Sequence, residues 1–324
     1  MRMTDQDTAP NEAADTAESL AEVIAARARS TPEAPALGDL TYRDLADSIA
    51  PRHEGPVVAF GKAPLADLLA PVFAALATSA VAVGAEGPFK RTQPGELVLP
   101  IRREDGGIDF ARHRQTALLA MARALATRFA LSPHDRVWID GSVTDPATWM
   151  IACAALAAGA HISLDETDAT VAWQLRGGTP LSTPDLRLIH LRAPREALAA
   201  LQSERPSLTV VNGFALPEAG GLPITSDPRD PPATVPGTVG RPLAGMEVMI
   251  VDPRSGMDML LYQTGEVWLR GPGLVAGFAN GIAPFEPGHF LRTGVLGYLD
   301  SEGRLVLPRT EEEALHIEPE DEAD

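Results

Sequence analysis

The side chains that most often carry enzyme chemistry are few and scattered in this sequence. A metal site or a nucleophile–base pair needs histidines, cysteines or carboxylates at short, regular spacing. The sequence has no HxH or HExxH spacing and no GxSxG, Walker or GxGxxG motif, and its single cysteine, Cys153, lies in an apolar run that predicts a buried structural thiol. The seven histidines therefore predict surface or core side chains: His53, His113, His134, His161, His190, His289 and His316.

Four motifs, three of which contain glycines, follow one another in the last third of the chain. They read Gly237-Thr-Val-Gly-Arg-Pro-Leu-Ala-Gly245, Met246-Glu-Val-Met-Ile-Val-Asp252, Gly265-Glu-Val-Trp-Leu-Arg-Gly-Pro-Gly273 and Leu291-Arg-Thr-Gly-Val-Leu-Gly-Tyr-Leu-Asp300. Their order and spacing resemble the adenylate-forming superfamily of acyl- and aryl-CoA synthetases, luciferases and peptide-synthetase adenylation domains. Near the N-terminus, Thr31-Pro32 and Thr41-Tyr42 also match that family's usual opening.

One position in the last motif departs from the family. The family usually reads Arg-Thr-Gly-Asp there, and the resemblance implies that the Asp holds the ribose hydroxyls of ATP. In this chain Val295 occupies that place. The sequence therefore predicts the loss of one nucleotide contact.

The resemblance also implies a phosphate-binding loop between the predicted strand Leu97–Ile101 and a helix predicted to begin near Ala111. Such a loop holds phosphates with backbone N–H groups, hydroxyls and a lysine. Residues 102–110 instead carry three carboxylates and no lysine, and carboxylates repel a triphosphate by roughly several kcal/mol. Asp-Gly-Gly at 105–107 predicts a hairpin turn. We interpret the phosphate loop as lost.

The stretch Asn212-Gly-Phe-Ala-Leu-Pro-Glu218 resembles the family's adenine- and magnesium-binding Asn-Gly-Tyr-Gly-Leu-Thr-Glu. The resemblance places Phe214 against the base and Glu218 at the metal, whereas Pro217 replaces a phosphate-binding threonine and removes an N–H. With Arg309, which resembles the family's hinge arginine, the relict nucleotide-site positions are Asn212, Phe214, Glu218 and Arg309. No catalytic and no metal-ligating residue is predicted.

The adenine-lining Gly-Gly-Ala-Pro of the family has two alternative counterparts. Leu191-Arg-Ala-Pro194 keeps the spacing to Asn212 but puts two bulky side chains where adenine lies. Gly177-Gly-Thr-Pro180 keeps the glycines but leaves a longer gap, so we prefer the first. No histidine follows the predicted strand Val137–Asp140, where the family often has an aromatic-His pair, and Glu311-Glu312 replaces the hinge Lys-Asp.

The rest of the sequence predicts the elements that position these residues. Strands and helices alternate up to about Pro236, which is typical of parallel sheets covered by helices, and short strands with Gly/Pro turns follow. Residues 218–236 are predicted to be loop. We predict an α/β fold of layered, mostly parallel sheets flanked by helices, with a smaller β-rich C-terminal subdomain, resembling the large domain of acyl-CoA synthetases. The predicted organisation is a disordered N-terminus (1–16), a layered α/β region (17–236), a β-rich subdomain (237–309) and an acidic tail (310–324).

Composition narrows the classes of partner. The net charge of −17 over 324 residues argues against nucleic acid and anionic membranes. No apolar run reaches the ~20 residues that span a bilayer, and the acidic residues 1–17 do not resemble a signal peptide, so we expect a cytoplasmic protein without a membrane span. Only two of the 27 basic residues are lysines, Lys62 and Lys90, so a lysine-dependent mechanism has only these two candidates.

Together these features indicate a truncated, degenerate relative of the acyl-CoA synthetases, without the mobile C-terminal domain that carries the family's catalytic lysine. The leading hypothesis is a pseudoenzyme that needs no cofactor and binds an acyl or aryl ligand or a protein partner. The alternative is an acyl/aryl-CoA ligase, weak or complemented by another chain, which would use ATP and Mg²⁺. A third hypothesis is a new activity in the remodelled cleft. Homo-oligomerisation, the ligand and the partner stay open.

Overall fold

The computed structural model describes residues 18–49, 57–85, 89, 91–103, 106–279, 285–286 and 290–308. The predicted disordered N-terminus, the acidic tail and Arg309 lie outside the described residues. Within the described ranges no helix is both long and apolar enough to cross a membrane. The same ranges contain six α-helices: α1 Leu20–Ser30, α2 Tyr42–Ser48, α3 Leu65–Leu76, α4 Gln115–Arg128, α5 Pro146–Ala158 and α6 Arg195–Glu204.

Local sequence signals set the ends of several helices. A capping box begins α1, because the Ser19 hydroxyl accepts a hydrogen bond from the backbone N–H of Glu22 while the Glu22 carboxylate accepts one from Ser19. Asp145 caps α5 through the N–H of Ala147, and Gly159 ends α5 in the left-handed conformation with φ of 81°.

Strands supply the rest of the regular structure. In the described ranges they are β1 Pro35–Leu37, β2 Leu40–Thr41, β3 Val57–Phe60, β4 Ala80–Val83, β5 Glu96–Arg102, β6 Ile108–Arg114, β7 Arg136–Asp140, β8 His161–Ser163, β9 Val171–Gln174, β10 Leu188–Leu191, β11 Thr209–Val211, β12 Gly213–Leu216, β13 Gly221–Thr225, β14 Arg241–Pro242, β15 Glu247–Val251, β16 Gly265–Arg270, β17 Gly277–Phe278, β18 Phe285–Glu286, β19 Phe290–Leu299 and β20 Leu305–Val306.

These strands form four sheets. The large sheet has the order β11-β10-β9-β7-β8-β1-β2 and is parallel except for the β1–β2 pair. The second sheet, β17-β6-β5-β4-β3, is parallel from β3 to β5 and antiparallel beyond. The small sheet β12-β13-β14 and the C-terminal sheet β15-β16-β19-β18, with β20 on β19, are antiparallel.

A single large apolar cluster joins the layers. It includes Val81 and Leu97 of the second sheet, Val137 and Trp173 of the large sheet, and residues of α3, α4 and α5. Helix α5 buries residues on all its faces, which is typical of a helix enclosed between layers. The layers therefore pack on one continuous core that fixes the strand ends relative to one another.

The predicted layered α/β fold with a smaller β-rich part is confirmed. One boundary was predicted wrongly: α4 begins at Gln115 rather than near Ala111, because residues 108–114 pair along their whole length with β5. Residues 218–236 were expected to be loop, yet β13 forms there. It pairs with β14 through Thr225 and Arg241, so a hydrogen-bonded ladder crosses the boundary predicted after residue 236.

Candidate functional site

Asn212 stands between β11 and β12 and holds the surrounding loops together. Its side-chain NH₂ donates to the backbone carbonyls of Val235, at 2.9 Å, and Thr238, at 3.0 Å. Its Oδ1 accepts a hydrogen bond from the Ser226 hydroxyl. An asparagine amide has two N–H donors, so both are already used within the protein.

Phe214 follows on β12 and is only 7% exposed. Its ring belongs to the main apolar core. A base can stack on an aromatic ring only where a face of that ring is accessible. In this structure Phe214 offers little such surface.

Glu218 lies on a short 3-10 helix, Pro217–Ala219, directly after β12. Its backbone carbonyl accepts a hydrogen bond from the N–H of Val275 at 3.0 Å. Burial raises the pKa of the Glu218 carboxyl, and the nearby Asp109 carboxylate raises it further. Glu218 is therefore a partly buried acid that favours its neutral form more than an exposed glutamate does.

Asp109 comes from the hairpin where the resemblance implies a phosphate loop. Strands β5 and β6 pair as far as Arg102 and Ile108, so the predicted hairpin is confirmed. The backbone N–H of Arg103 donates to the Gly107 carbonyl at 2.9 Å, and an Arg103 nitrogen lies 3.6 Å from an Asp109 carboxylate oxygen. Two residues of the predicted turn, Glu104 and Asp105, lie outside the described residues.

The hairpin and the Glu218 turn are joined by one segment. Val275 bonds to Glu218, and the next residue, Ala276, donates its N–H to the Arg112 carbonyl of β6 at 2.8 Å. Strand β17 then extends the second sheet by pairing with β6. This segment thus ties the strand that carries Asp109 to the turn that carries Glu218, whose pKa the charge of Asp109 raises. Across the described ranges, no group of three or more metal-ligating side chains occurs.

The Arg-Thr-Gly-Val turn lies in a bulge of β19. Glu266 and Trp268 are two positions apart on β16, while their partners Leu296 and Arg292 are four positions apart on β19. Glu266, 4% exposed, accepts hydrogen bonds from the Arg292 guanidinium and from the Gly294 N–H. Val295 follows this anchored turn and packs against the main core.

The segment 191–194 connects the end of β10 to the start of α6 and is followed by β11 and Asn212. The alternative segment, 177–180, follows β9 in the connection to β10. Arg195 begins α6 and donates to the Leu307 carbonyl at 2.6 Å, which brings the loop close to the end of the described chain. Arg309, two residues further, lies outside the described residues.

Sequence reasoning missed Arg128, which anchors the first glycine-rich motif. Its guanidinium donates to the carbonyls of Thr225, Arg241 and Pro242 at 3.1, 2.7 and 2.6 Å. Gly240 is required beside it, because an added Cβ would lie 2.0 Å from the Thr225 carbonyl oxygen. In the sequence Arg128 is an ordinary arginine at the end of α4, and no motif indicates its role.

Three other side chains that can react or titrate are buried: Cys153, His113 and His190. Burial raises the pKa of the Cys153 thiol to about 12, so the predicted buried thiol is confirmed and is unreactive. His113 and His190 are each 2% exposed. Burial lowers the pKa of each imidazole to about 4.

Comparison with known proteins agrees with this arrangement. Residues 182–279 match the family described as AMP-binding enzyme. The chain is 33% identical over 132 residues to 4-coumarate–CoA ligase-like 8 of Arabidopsis thaliana, covering 40% of this chain and 22% of that protein. It is likewise 33% identical over 133 residues to the peroxisomal OPC-8:0-CoA ligase 1 of the same plant, again covering 40% and 22%. The chain thus spans about a fifth of the length of these relatives.

Solved structures share the fold over most of the chain. The N-terminal domain of FACL13 from Mycobacterium tuberculosis superposes with a TM-score of 0.72 at 14% identity, covering 90% of this chain and 99% of that one. The o-succinylbenzoate CoA synthetase of Bacillus subtilis, in complex with its acyl-adenylate intermediate, gives 0.70 at 17% identity, covering 88% and 98%. The motifs, the match over residues 182–279 and these relatives support a kinship of this chain with the adenylate-forming, AMP-binding superfamily.

Proposed function

We propose that this chain is a non-catalytic relative of the acyl-CoA synthetases that binds an acyl or aryl ligand, or a protein partner, without adenylating a carboxylate. The observation that carries the proposal is that Val275 and Ala276 tie the Glu218 turn to strand β6, which carries Asp109. Burial and the charge of Asp109 raise the pKa of Glu218 there. The resemblance puts phosphates and their metal there. A triphosphate would meet carboxylates in a partly buried place, where like charges repel most strongly.

Three further observations support a protein that uses no nucleotide cofactor. The Asn212 amide is already bonded to two carbonyls, Phe214 is 7% exposed, and Val295 lacks the carboxylate for ribose hydroxyls. Each lost hydrogen bond or stacking contact costs about 1–3 kcal/mol. Together with the acidic hairpin, these losses leave little to bind ATP and Mg²⁺.

The second candidate is a weak or partner-complemented acyl/aryl-CoA ligase. Glu218 favours this candidate, because the resemblance implies that the residue binds a metal ion. A bound divalent cation would offset the charge of Asp109. The first listed relatives are named as CoA ligases, which is consistent with either candidate.

Calorimetric titration with ATP in excess Mg²⁺ separates the two candidates. We expect no dissociation constant below about 100 μM, which corresponds to about 5.5 kcal/mol of binding free energy. An ATP–pyrophosphate exchange assay with aryl and acyl carboxylates should likewise give no signal. A tighter ATP affinity or carboxylate-dependent exchange would instead establish the ligase.

Thermal denaturation then distinguishes a small ligand from a protein partner. A ligand present at 100 times its Kd stabilises the native state by about 2.7 kcal/mol. A rise in Tm with aryl or acyl carboxylates, and none with ATP, is the result expected for the ligand-binding form. No rise with any carboxylate would leave only the protein-partner form of the proposal.

A further inference from the structure

A pocket of about 520 Å³ lies at one edge of the second sheet, and Glu218 is not among the residues that line it. It is bordered by Gly61 and Lys62, which follow β3, and by Gly84 and Ala85, which follow β4. Both strands are parallel, so the pocket lies at the carboxyl ends of two parallel strands. Ligands of open α/β sheets bind at such strand ends.

The wall of the pocket is apolar and comes from one face of the sheet. Ala59, Pro100, Ile108 and Phe110 line it. Pro100 pairs directly with Phe110, and directly paired residues point to the same side of a sheet. Ile108 is 50% exposed, which leaves apolar surface of the wall open to a ligand.

An aromatic pair extends this wall. Phe110 packs edge-on against Phe89, with ring centroids 5.3 Å apart and planes at 81°. The other face of the same strands carries Leu97 and Leu99, which are fully buried in the main core. The sheet therefore has one face closed by the core and one whose apolar side chains border an open pocket.

Lys62 supplies the positive charge at the pocket. Its side chain is exposed, and within the described residues no carboxylate pairs with it. The aliphatic stem lies over Gly84, since a Cβ added to Gly84 would be 3.2 Å from Lys62 Cγ. Lysine stems commonly lie on apolar surface while the ammonium group meets an anion or water.

A larger pocket of about 620 Å³ beside α4 is a weaker site for an anion. It is lined by several arginines, but carboxylates already pair with two of them. Arg187 is paired with Asp135 at 2.7 Å and Arg229 with Asp227 at 2.6 Å. The pocket at Lys62 differs because its cation has no such described partner.

The β5–β6 hairpin explains why a ligand would use the outer face. Successive side chains of a strand point to opposite faces, so Asp109 points to one side and its neighbours Ile108 and Phe110 to the other. Asp109 faces the side of Glu218, whose pKa it raises. The hairpin therefore presents Asp109, which is paired with Arg103, toward the side of Glu218 and apolar side chains toward the pocket.

We propose that the pocket at Lys62 binds a small apolar carboxylate, of aryl or short-chain acyl type. The carboxylate lies at the Lys62 ammonium group, and the hydrocarbon part packs on Ile108 and Phe110. The volume falls within the range of about 300–1,000 Å³ that small-molecule sites occupy. This inference rests on the proposed function and assigns its ligand a chemical class and a place outside the relict nucleotide cleft.

Calorimetry with cinnamate and its neutral analogue cinnamamide, on the full chain, tests the site. The wild type should bind cinnamate at least about fivefold more tightly, because a partly exposed charge-assisted contact distinguishes the two. Lys62→Met should remove this preference, and Ala59→Phe, at an exposed residue of the wall, should abolish binding of both compounds. Arg29→Met, which removes an exposed positive charge on α1, is the matched control and should bind like the wild type.

The outcomes distinguish failure of the proposed site from failure of the proposed function. Unchanged cinnamate affinity in both Lys62→Met and Ala59→Phe, with melting temperatures equal to the wild type, would overturn the site while leaving ligand binding intact. If neither cinnamate nor octanoate binds the wild type at millimolar concentration, the site and the ligand-binding form of the proposed function both fall. The ATP titration remains a separate test of the lost adenylation.

Discussion

Glu266 on β16 and Arg292 on β19 form an ion pair with two hydrogen bonds at the Arg-Thr-Gly-Val turn. The Arg292 Nη2 lies 2.8 Å and its Nε 3.1 Å from Glu266 Oε2, and Gly294 donates its N–H to Oε1 at 3.0 Å. Burial opposes ionisation of Glu266, but the hydrogen bonds from Arg292 and Gly294 outweigh it and hold the pKa below its ordinary value. The turn thus keeps its shape although its last residue is no longer an aspartate.

Replacing Glu266 should destabilise the protein strongly. In Glu266→Ala, the Gly294 N–H and the Arg292 guanidinium lose their acceptor inside the sheet, and breaking such a pair costs about 3–5 kcal/mol when both partners are buried. Because Arg292 is half exposed, we expect about 2–3 kcal/mol. Urea unfolding followed by circular dichroism measures it.

The same sheet offers a matched control for this variant. Glu247 also pairs with an arginine, Arg270, across neighbouring strands, but both side chains are largely exposed. Exposed ion pairs contribute about 0–1 kcal/mol, so Glu247→Ala should change the free energy of unfolding by less than that. Equal losses in the two variants would mean that the Glu266 pair does not anchor the turn.

Two buried histidines should make the protein sensitive to mild acid. The pKa of His113 and of His190 is lowered by burial to about 4, whereas an unfolded histidine titrates near ~6.5. Between these values the unfolded chain binds more protons, so stability falls as the pH decreases from about 6.5 to about 4. Each histidine contributes roughly 3 kcal/mol to this loss.

The pH dependence is checked by unfolding midpoints in buffers from pH 4 to 7. His113→Met should flatten the curve in this window by about the share of one histidine, while His134→Gln, at an exposed position, should leave the slope unchanged. Carboxylates whose pKa is lowered, such as Asp135 and Asp227, lose their contribution only at lower pH. A curve that His113→Met does not alter would show that this imidazole is not buried in neutral form.

The coupling between Asp109 and Glu218 predicts a shift that NMR can measure. Burial is the larger cause of the raised pKa of Glu218 and Asp109 the smaller. Asp109→Asn should therefore lower the pKa of the Glu218 carboxyl without returning it to its ordinary value. Titration of the Glu218 side-chain carbon measures this, with Asp140→Asn as a control at a carboxylate on β7. If the pKa of Glu218 were unchanged in Asp109→Asn, the two carboxylates would be too far apart to interact.

Local patterns were sufficient to predict much of the fold. The sequence predicted that strands and helices alternate up to about Pro236, and the structure confirms this alternation. The start of α4 was missed because residues 108–114 contain apolar side chains at spacings that suit a helix or a strand. Pairing with β5, a tertiary contact, decides between the two.

The sequence predicted the candidate site only at positions where the backbone requires a particular residue type, because such residues form a recognisable motif. Gly240 keeps its place because a Cβ would clash with Thr225, so the motif survives in the sequence. The role of Arg128, by contrast, depends on three carbonyls at residues 225, 241 and 242. No local pattern encodes such long-range contacts, and the closeness of Asp109 to Glu218 is likewise visible only in three dimensions.

Restoring the missing aspartate alone should not restore nucleotide binding. Val295→Asp returns the carboxylate that the family uses for ribose, but Asp109 still faces the phosphate region and Asn212 stays bonded to its two carbonyls. The new carboxylate also replaces a side chain packed against the core and follows a turn already bonded to Glu266. An unpaired, partly buried charge of this kind costs about 1–3 kcal/mol.

We therefore expect Val295→Asp to lower the melting temperature and to bind ATP no more tightly than about 100 μM. Val295→Thr, which is similar in size but uncharged, is the control, and it should melt at a higher temperature than Val295→Asp. Calorimetric titration and ATP–pyrophosphate exchange on all three chains make the comparison. Turnover in Val295→Asp would contradict the proposal that residues 102–110, and not Val295 alone, prevent adenylation.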